Sequence, residues 1–300
     1  MSNSVTRLDP RPALSVANLT KRYGAVLALK DVSFGVGASE SVALWGPNGA
    51  GKTTILRCLL GVARYDGDIR IGELDPARQG ERARRSVGYV PQDLPIAPMT
   101  VDELTAYVAR LKRAPLEDGA ARLEQLGLSE HGAKPVGALS GGLRQRLALA
   151  LALIGDPAVL LLDEPTANLD ARGRAELLQL LKRLKREGKT LLFSSHRPED
   201  ILALADRVLM LESGQLQDEI SPAAFMRTLG ETSRMVLFLR NGHLKEALTA
   251  LDDFTVEATR DGKVLTVAVQ PHQKAEVLDR LSRAGVALDD FDVERLIWTH

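Results

Sequence analysis

The sequence predicts an α/β domain built around a buried parallel sheet, followed by a smaller α+β domain. Three apolar strands, centred near residues 42, 160 and 192, each end in a polar motif. Buried parallel strands are apolar along most of their length, and ligands gather at the carboxyl ends of such strands. A chain of 300 residues exceeds what one hydrophobic core usually serves. We therefore expect two domains.

The composition argues against a strong attraction to nucleic acid or to a charged membrane surface. The 39 basic and 39 acidic residues cancel, so any such partner has to be bound by a local patch. The basic cluster at residues 78–85 contains no interleaved aromatic residues, which favours a solvated helix face over a nucleic-acid site. The longest apolar runs, Leu147–Ile154 and Ala158–Leu162, are far shorter than the roughly 20 residues of a bilayer span. We expect no membrane span and no nucleic-acid partner.

The N-terminal segment and the single cysteine restrict the cellular compartment. Residues 1–13 include Pro10 and Pro12, lack the apolar core of a secretory signal and predict a flexible tail. We expect a cytoplasmic location. Cys58 is the only cysteine, so the chain can form no internal disulfide, and we expect its thiol to be a small buried group.

A strand, a glycine-rich loop and a helix follow one another in the first part of the chain. Val26–Val36 and Glu40–Trp45 mix β-branched and apolar residues, which predicts strands leading to the loop. Lys52–Leu60 has apolar residues at helical spacing, and Gly61 ends that helix.

A helical insertion is predicted between Met99 and Leu128. Thr100 and Glu103 fit a capping box at the start of an amphipathic helix, and Leu116–Leu126 predicts a second helix. Prolines 91, 95 and 98 keep the approach to the insertion non-helical. The pattern after the insertion predicts two further helices and two further strands: helix Ser140–Ile154, strand Val159–Leu162, helix Ala171–Arg186 and strand Thr190–Ser194.

The C-terminal part predicts a domain of ferredoxin-like element order over residues 234–300, after a linker at residues 221–233. The predicted order is βαββαβ. Its elements are strand Met235–Leu239, helix His243–Leu251, strand Thr255–Thr259, a turn at Asp261-Gly262, strand Val264–Val269, helix Pro271–Ala284 and strand Val286–Val293.

The glycine-rich loop has the composition of a phosphate-binding loop. Its glycines allow consecutive backbone N–H groups to converge on phosphate oxygens, and the helix that follows presents its positive end to them. Lys52 can reach the outer phosphates of a nucleotide, and the Thr53 hydroxyl can be a ligand of Mg²⁺. The strand before it and the helix after it argue against a mere glycine-rich turn. The predicted nucleotide-binding residues here are Gly46, Pro47, Asn48, Gly49, Ala50, Gly51, Lys52, Thr53 and Thr54.

Two adjacent carboxylates end the strand Val159–Leu162. Burying Asp163 and Glu164 after four apolar residues is costly unless a cation compensates, so a metal ion and a reacting water explain them. The alternative is a strand that simply emerges into solvent at this point. The phosphate-binding loop upstream favours the first reading, and it assigns Asp163 to Mg²⁺.

A third motif narrows the class of protein. Leu139-Ser140-Gly141-Gly142 precedes Arg144-Gln145-Arg146, and His196 follows the strand Thr190–Ser194. Ser140 is a good helix N-cap, and a capped helix that opens with glycines also binds anions. With these motifs and the phosphate-binding loop, the chain resembles an ATPase subunit of an ATP-binding cassette (ABC) transporter. The resemblance covers roughly Leu14–Leu216.

The chain departs from that family's pattern at two positions. Leu143 stands where the family often has Gln, and Leu151 replaces a residue that is frequently basic. Neither change removes the Ser140 hydroxyl or the glycine backbone. We expect at most slower or altered turnover.

The resemblance implies a fold and a set of residue roles. The fold is a P-loop NTPase core over residues 14–220, with an antiparallel β subdomain and a helical subdomain at about 94–155. Ser140, Gly141 and Gly142 reach the terminal phosphate held by the opposite subunit. The other implied roles are Glu164 as general base, Gln92 as a contact of Mg²⁺ or of the attacking water, His196 at the terminal phosphate, Tyr23 stacked on adenine and Asp170 in the loop that crosses between subunits.

The resemblance also implies a function. Two copies of the chain close around two Mg-ATP, hydrolyse them and drive a separate membrane permease, so the chain lies on the cytoplasmic face of the membrane. The alternative is an ATPase of the same superfamily that acts on ribosomes or DNA; such proteins usually have two cassettes or a long coiled coil, and this chain has one motif set and no sustained heptads. For the C-terminal domain, a dimerisation surface and a regulatory module both remain open.

Overall fold

The computed structural model describes residues 12–96, 98–231, 233–240, 243–254, 256–259, 262–269 and 273–295. It divides into two compact units, Met1–Ser221 and Pro222–His300. Most of the predicted N-terminal tail, residues 1–11, lies outside the described residues, as does Asp261 of the predicted turn.

The first unit contains nine strands and seven α-helices in its described part. In chain order they are β1 (Leu14–Tyr23), β2 (Val26–Val36), β3 (Ser41–Trp45), α1 (Lys52–Leu59), β4 (Asp66–Ile71), α2 (Gly80–Ser86), β5 (Val87–Val90), α3 (Val101–Lys112), α4 (Leu116–Gln125), α5 (Gly141–Leu153), β6 (Val159–Leu162), α6 (Ala171–Arg186), β7 (Thr190–Ser194), α7 (Pro198–Leu204), β8 (Arg207–Glu212) and β9 (Gln215–Ile220).

A six-stranded sheet forms the centre of the first unit, in the order β5-β6-β7-β3-β8-β9. Neighbouring strands are parallel from β5 to β8, and β9 pairs antiparallel with β8. Every residue of β3, β6 and β7 is buried, which explains why these strands are apolar throughout. Since these strands are parallel, the segments that follow them meet at one edge of the sheet. The predicted α/β core is confirmed.

A second sheet of three antiparallel strands, in the order β2-β1-β4, provides the antiparallel subdomain that the family resemblance implies. The sequence analysis does not identify β4, because only Ile69 and Ile71 of its six residues are buried. The helices predicted between Met99 and Leu128 are present as α3 and α4, and α5 follows them. The capping box of α3 is formed: Glu103 N donates to Thr100 Oγ1, and Thr100 N donates to Glu103 Oε2.

The second unit has the ferredoxin-like element order that the sequence predicts. It contains α8 (Pro222–Glu231), β10 (Ser233–Leu239), α9 (Leu244–Ala250), β11 (Val256–Ala258), β12 (Val264–Val269), α10 (Lys274–Arg283) and β13 (Leu288–Arg295). The strands form one antiparallel sheet, β11-β12-β10-β13. Met235, Leu237 and Leu239 alternate along β10 and are buried in an apolar core with residues of α9 and α10.

The structure differs from the sequence prediction at the linker. Residues 222–231 form helix α8 rather than an irregular linker. Pro222 occupies the first turn, where a proline is compatible with a helix, and Phe225 is fully buried. Pro222 is therefore consistent with the start of a helix.

Within the described ranges, no helix combines the length and the apolar character needed to cross a membrane.

Candidate nucleotide site

The phosphate-binding loop lies between β3 and α1 and requires glycine at two positions. Gly51 has φ 103°, a left-handed conformation, and a Cβ there would lie 2.5 Å from Leu29 Cδ2. A Cβ on Gly46 would lie 2.1 Å from the carbonyl oxygen of Leu211. No side chain caps the start of α1, so its first amides remain available to an anion.

The side chain of Lys52 is hydrogen-bonded within the phosphate-binding loop. Its Nζ donates to the carbonyl oxygens of Gly46, at 2.6 Å, and Pro47, at 3.1 Å, and the side chain is buried. Burial lowers the pKa of Lys52, while the carboxylates of Glu164 and Asp163 act in the opposite direction. The ammonium group thus lies in the loop and in the field of both acids.

The side chain of Asp163, directly after β6, is hydrogen-bonded to one residue of α1 and one of β7. Its Oδ1 accepts a hydrogen bond from Thr53 Oγ1 at 3.2 Å and another from Ser194 Oγ at 2.8 Å. Asp163 is buried, with 3% of its surface exposed. The hydroxyl of Thr53 and the carboxylate of Asp163 are both hard oxygen donors, so this pair fits Mg²⁺, which typically takes one or two protein oxygens together with phosphate oxygens and water. The assignment of both residues to Mg²⁺ remains a prediction.

Glu164 and His196 form a close pair at the same edge of the sheet. Glu164 Oε2 lies 2.7 Å from His196 Nδ1 and accepts the backbone N–H of His196 at 3.2 Å. The backbone N–H of Glu164 donates to Ser194 Oγ at 2.8 Å. The φ of Glu164 is 48°, an uncommon left-handed conformation for a residue with a side chain. The backbone is therefore held in an uncommon conformation at the predicted general base.

Gln92 lies in the loop after β5, the strand next to β6. It is exposed and lines a cleft of about 450 Å³ together with Gly141, Arg144 and Asn168. The neighbouring Asp93 accepts a hydrogen bond from Asn168 Nδ2 at 2.7 Å. The structure therefore places Gln92 beside the start of α5, and its predicted contact with Mg²⁺ or water stays a prediction.

Ser140 and Asp170 act as helix caps in the single chain. Ser140 Oγ accepts the N–H of Leu143 at 3.4 Å, and Asp170 Oδ1 accepts the N–H of Gly173 at 2.7 Å. Gly141, at the start of α5, lies close to the carbonyl oxygen of Asn168. Lys52, in the phosphate-binding loop, bonds to carbonyl oxygens of that loop. Both capping side chains are exposed. They are accessible to another molecule, and their predicted contacts with nucleotide are not tested within one chain.

Tyr23 ends β1 with 44% of its surface exposed, and the Nζ of Lys21 lies 4.5 Å from the centre of its ring. Because the ring is exposed, a planar base can stack on it in addition to its cation–π contact with Lys21. The adenine contact of Tyr23 stays a prediction.

Sequence reasoning missed three side chains of this edge. Ser194 bonds both Asp163 and Glu164, and Ser195 and Asp200 bond each other at 3.1 Å. The signal for the serines was present, because Ser194 ends the apolar strand β7 and Ser195 follows it. Asp200 carried none, since it lies within a short helix, α7.

The chain matches the family described as ABC transporter over residues 29–167. It is 41% identical over 224 residues to a Nod factor export ATP-binding protein I of Burkholderia orbicola, covering 70% of this chain and 71% of that protein. A protein of the same name from Rhizobium sp. (strain N33) is 35% identical over 283 residues, 92% of each chain.

Solved structures give the same result. The structure of an ATP-binding subunit of an ABC transporter superposes with a TM-score of 0.66 at 26% identity, covering 73% of this chain and 93% of that one. A dimeric cassette in a post-hydrolysis state, bound to ADP and Pi, superposes with a TM-score of 0.62 at 26% identity, covering 70% and 98%. The site and the fold define a nucleotide-binding ATPase of the cassette class. The chain belongs to the family of ABC transporter ATP-binding proteins.

Proposed function

We propose that two copies of this chain bind two Mg-ATP between them, hydrolyse them and thereby drive a separate membrane permease. The observation that carries this proposal is the hydrogen-bonded edge at which Thr53, Asp163, Ser194, Glu164 and His196 meet beside the phosphate-binding loop.

Binding rests on the loop and on α1. The backbone amides at the start of α1 and the Lys52 ammonium bind the phosphates, which displace the carbonyls of Gly46 and Pro47 as partners of Nζ. Thr53 and Asp163 would hold Mg²⁺, which neutralises charge on the phosphates when bound. The exposed ring of Tyr23 stacks on the adenine.

Hydrolysis rests on Glu164. Its carboxylate accepts a proton from a water whose oxygen bonds to the terminal phosphorus, while the bond from that phosphorus to the bridging oxygen of ADP breaks. The products are ADP and phosphate. The pairing of Glu164 Oε2 with His196 Nδ1 orients the carboxylate, and His196 also contacts the terminal phosphate. Gln92 orients the water from the neighbouring loop.

The active unit is a head-to-tail dimer in which Ser140, Gly141 and Gly142 of one copy contribute to the nucleotide site of the other. The exposed Ser140 supplies a hydroxyl, and the half-buried Gly141 and Gly142 supply amides, to the nucleotide of the partner copy, and Asp170 contacts the partner's loop. The superposition on a dimeric cassette bound to ADP and Pi supports this arrangement.

The family and the relatives' names support a permease partner. One similar structure, at 28% identity, is described as part of a transporter complex. The relative that matches along 92% of both chains is named for export, which favours an exporter with this chain on the cytoplasmic face of the membrane. Nothing in the comparisons favours action on ribosomes or DNA.

A complementation experiment tests the composite site. Glu164→Gln and Ser140→Ala each remove one half of a site, so each variant alone loses turnover. In an equimolar mixture, half of the dimers are mixed and each mixed dimer has one intact site, so we expect about a quarter of wild-type turnover. The control is a mixture of Glu164→Gln with the double variant Glu164→Gln/Thr100→Ala, which alters another helix N-cap; neither chain has an intact Glu164, so this mixture should stay inactive. A mixture no more active than the sum of its parts contradicts the dimer.

A further inference from the structure

Asp200 lies next to the site and has no assigned role. It belongs to α7 and is 2% exposed. Its Oδ2 accepts hydrogen bonds from Thr166 Oγ1 and from Ser195 Oγ, the latter at 3.1 Å. Ser195 Oγ in turn accepts the backbone N–H of Arg197 at 3.0 Å.

The two hydroxyls belong to the two segments that carry the reacting pair. Thr166 follows Glu164 by two residues, and Ser195 immediately precedes His196. These segments leave neighbouring strands, β6 and β7, and Glu164 and His196 are 32 residues apart in sequence. A single oxygen of Asp200, Oδ2, therefore accepts hydrogen bonds from both segments. The same two segments carry Glu164 and His196, whose Oε2 and Nδ1 atoms lie 2.7 Å apart.

We propose that Asp200 is a positioning residue that fixes the distance between Glu164 and His196. This inference rests on the proposed hydrolysis at the same site. Asp200 does not touch the reacting atoms; it acts by holding Thr166 and Ser195.

The hydrogen bonding of Asp200 argues against a purely stabilising role. Its Oδ1 is buried and has no hydrogen-bond partner among the described residues. Burying a carboxylate that uses only one of its two oxygens costs free energy, and an apolar side chain of similar volume would avoid that cost. A buried polar group that is incompletely bonded is found more often where function requires it.

Loss of the connection should slow hydrolysis without weakening ATP binding, because Lys52 and Thr53 bond within the loop and to Asp163 rather than to Asp200. A displacement of about 1 Å at a catalytic group can cost about 100-fold in rate. We expect Asp200→Leu, which keeps the branched shape with somewhat larger groups and removes both acceptors, to lower kcat by about tenfold or more and to change the ATP Kd by less than about twofold.

Conservative variants separate positioning from folding. Asp200→Asn retains an oxygen that accepts both hydroxyls, so it should keep kcat within about threefold of wild type. Thr166→Val should lower kcat, and Thr166→Ser should restore it. Thr105→Val is the matched control, because it removes another buried threonine hydroxyl, which donates to Val101 O at 2.7 Å in α3, away from the site. It should leave kcat unchanged.

The experiment is single-turnover hydrolysis of ATP by the full chain, with Kd and thermal stability measured on the same samples. Each substitution is also made in a His196→Ala background. If Asp200 acts through the pair, Asp200→Leu has no further effect on the rate there. If Asp200→Leu does not fold, Thr166→Val against Thr166→Ser gives the same comparison.

The inference is wrong if Asp200→Leu and Thr166→Val keep wild-type kcat. It is wrong if their loss of rate matches that of Thr105→Val at equal loss of stability. It is also wrong if Asp200→Leu slows His196→Ala as much as it slows wild type. A wild-type chain that does not hydrolyse ATP contradicts the proposed function itself. An active wild type with an unaffected Asp200→Leu contradicts only the positioning role.

Discussion

The two units of this chain differ in what they bury. The first buries four charged side chains in its described part, Lys52, Asp75, Asp163 and Asp200, and all but Asp75 lie in segments that follow its parallel strands. In the described part of the second, every buried side chain is apolar. Buried polar groups contribute little net stability and cost free energy when incompletely bonded, so their concentration in one unit marks where function constrains the sequence. The described part of the second unit has ion pairs only at its surface and an apolar interior.

The strongest test of this comparison is Glu164→Gln. The substitution keeps the shape of the side chain and removes the proton acceptor, so turnover should fall by about 1000-fold while ATP still binds. Glu187→Gln, which changes an exposed acid at the end of α6, is the control and should keep wild-type turnover. Full turnover in Glu164→Gln would remove the functional explanation for the buried charges.

A core substitution in the second unit should affect stability and leave turnover unchanged. Leu237 is fully buried in β10, so Leu237→Ala should destabilise that unit by about 3 kcal/mol. The neighbouring Phe238 is 40% exposed, and Phe238→Ala should cost less than about 1 kcal/mol. Urea denaturation and ATPase assays of the full chain measure both effects. A large loss of turnover in Leu237→Ala would show that the second unit takes part in catalysis.

Lys112 tests whether a partly buried charge away from the site has a cost. Its Nζ donates to the carbonyls of Ala152 and Ile154, and burial lowers its pKa to about 8. Below pH 8 the lysine is protonated in both folded and unfolded chains, and burial of the charge is fully unfavourable. Between pH 8 and its ordinary pKa, only the unfolded chain keeps the proton, so stability rises with pH.

Wild type should therefore gain about 2 kcal/mol of unfolding free energy between pH 7 and pH 10 relative to Lys112→Met, which lacks the titrating group. Urea denaturation at the two pH values measures the difference. Parallel pH dependence in the two proteins would mean that Lys112 has an ordinary pKa.

The smallest expected effect concerns a helix cap far from the nucleotide. Thr100→Ala removes the capping box of α3 and should cost about 1 kcal/mol, with Thr100→Ser close to wild type. Turnover should not change. A drop in turnover comparable to that of Ser140→Ala would remove the distinction between a structural cap and a functional one.

The sequence predicts most of the first unit, because contiguous patterns encode it. The capping box at Thr100, the apolar run of β6 and the phosphate-binding loop are all readable within a few residues. Strand β4 was missed because four of its six residues are exposed, including Asp66 and Asp68.

The site was predicted to the extent that its residues stand in motifs. Glu164 and His196 belong to such motifs, and the structure brings them together. The connection from Thr166 through Asp200 to Ser195 joins positions about 30 residues apart, and no local pattern encodes it. Such contacts depend on which strands become neighbours in the sheet, a property of the folded chain.

The left-handed backbone of Glu164 has a consequence for protein engineering. A side chain at φ 48° costs roughly 1–2 kcal/mol relative to the usual conformations, and glycine or asparagine tolerates it better. A laboratory selection for heat resistance alone should therefore enrich Glu164→Gly or Glu164→Asn. The selected variants would be more stable but would lack the proposed general base, so any such selection has to include an activity screen.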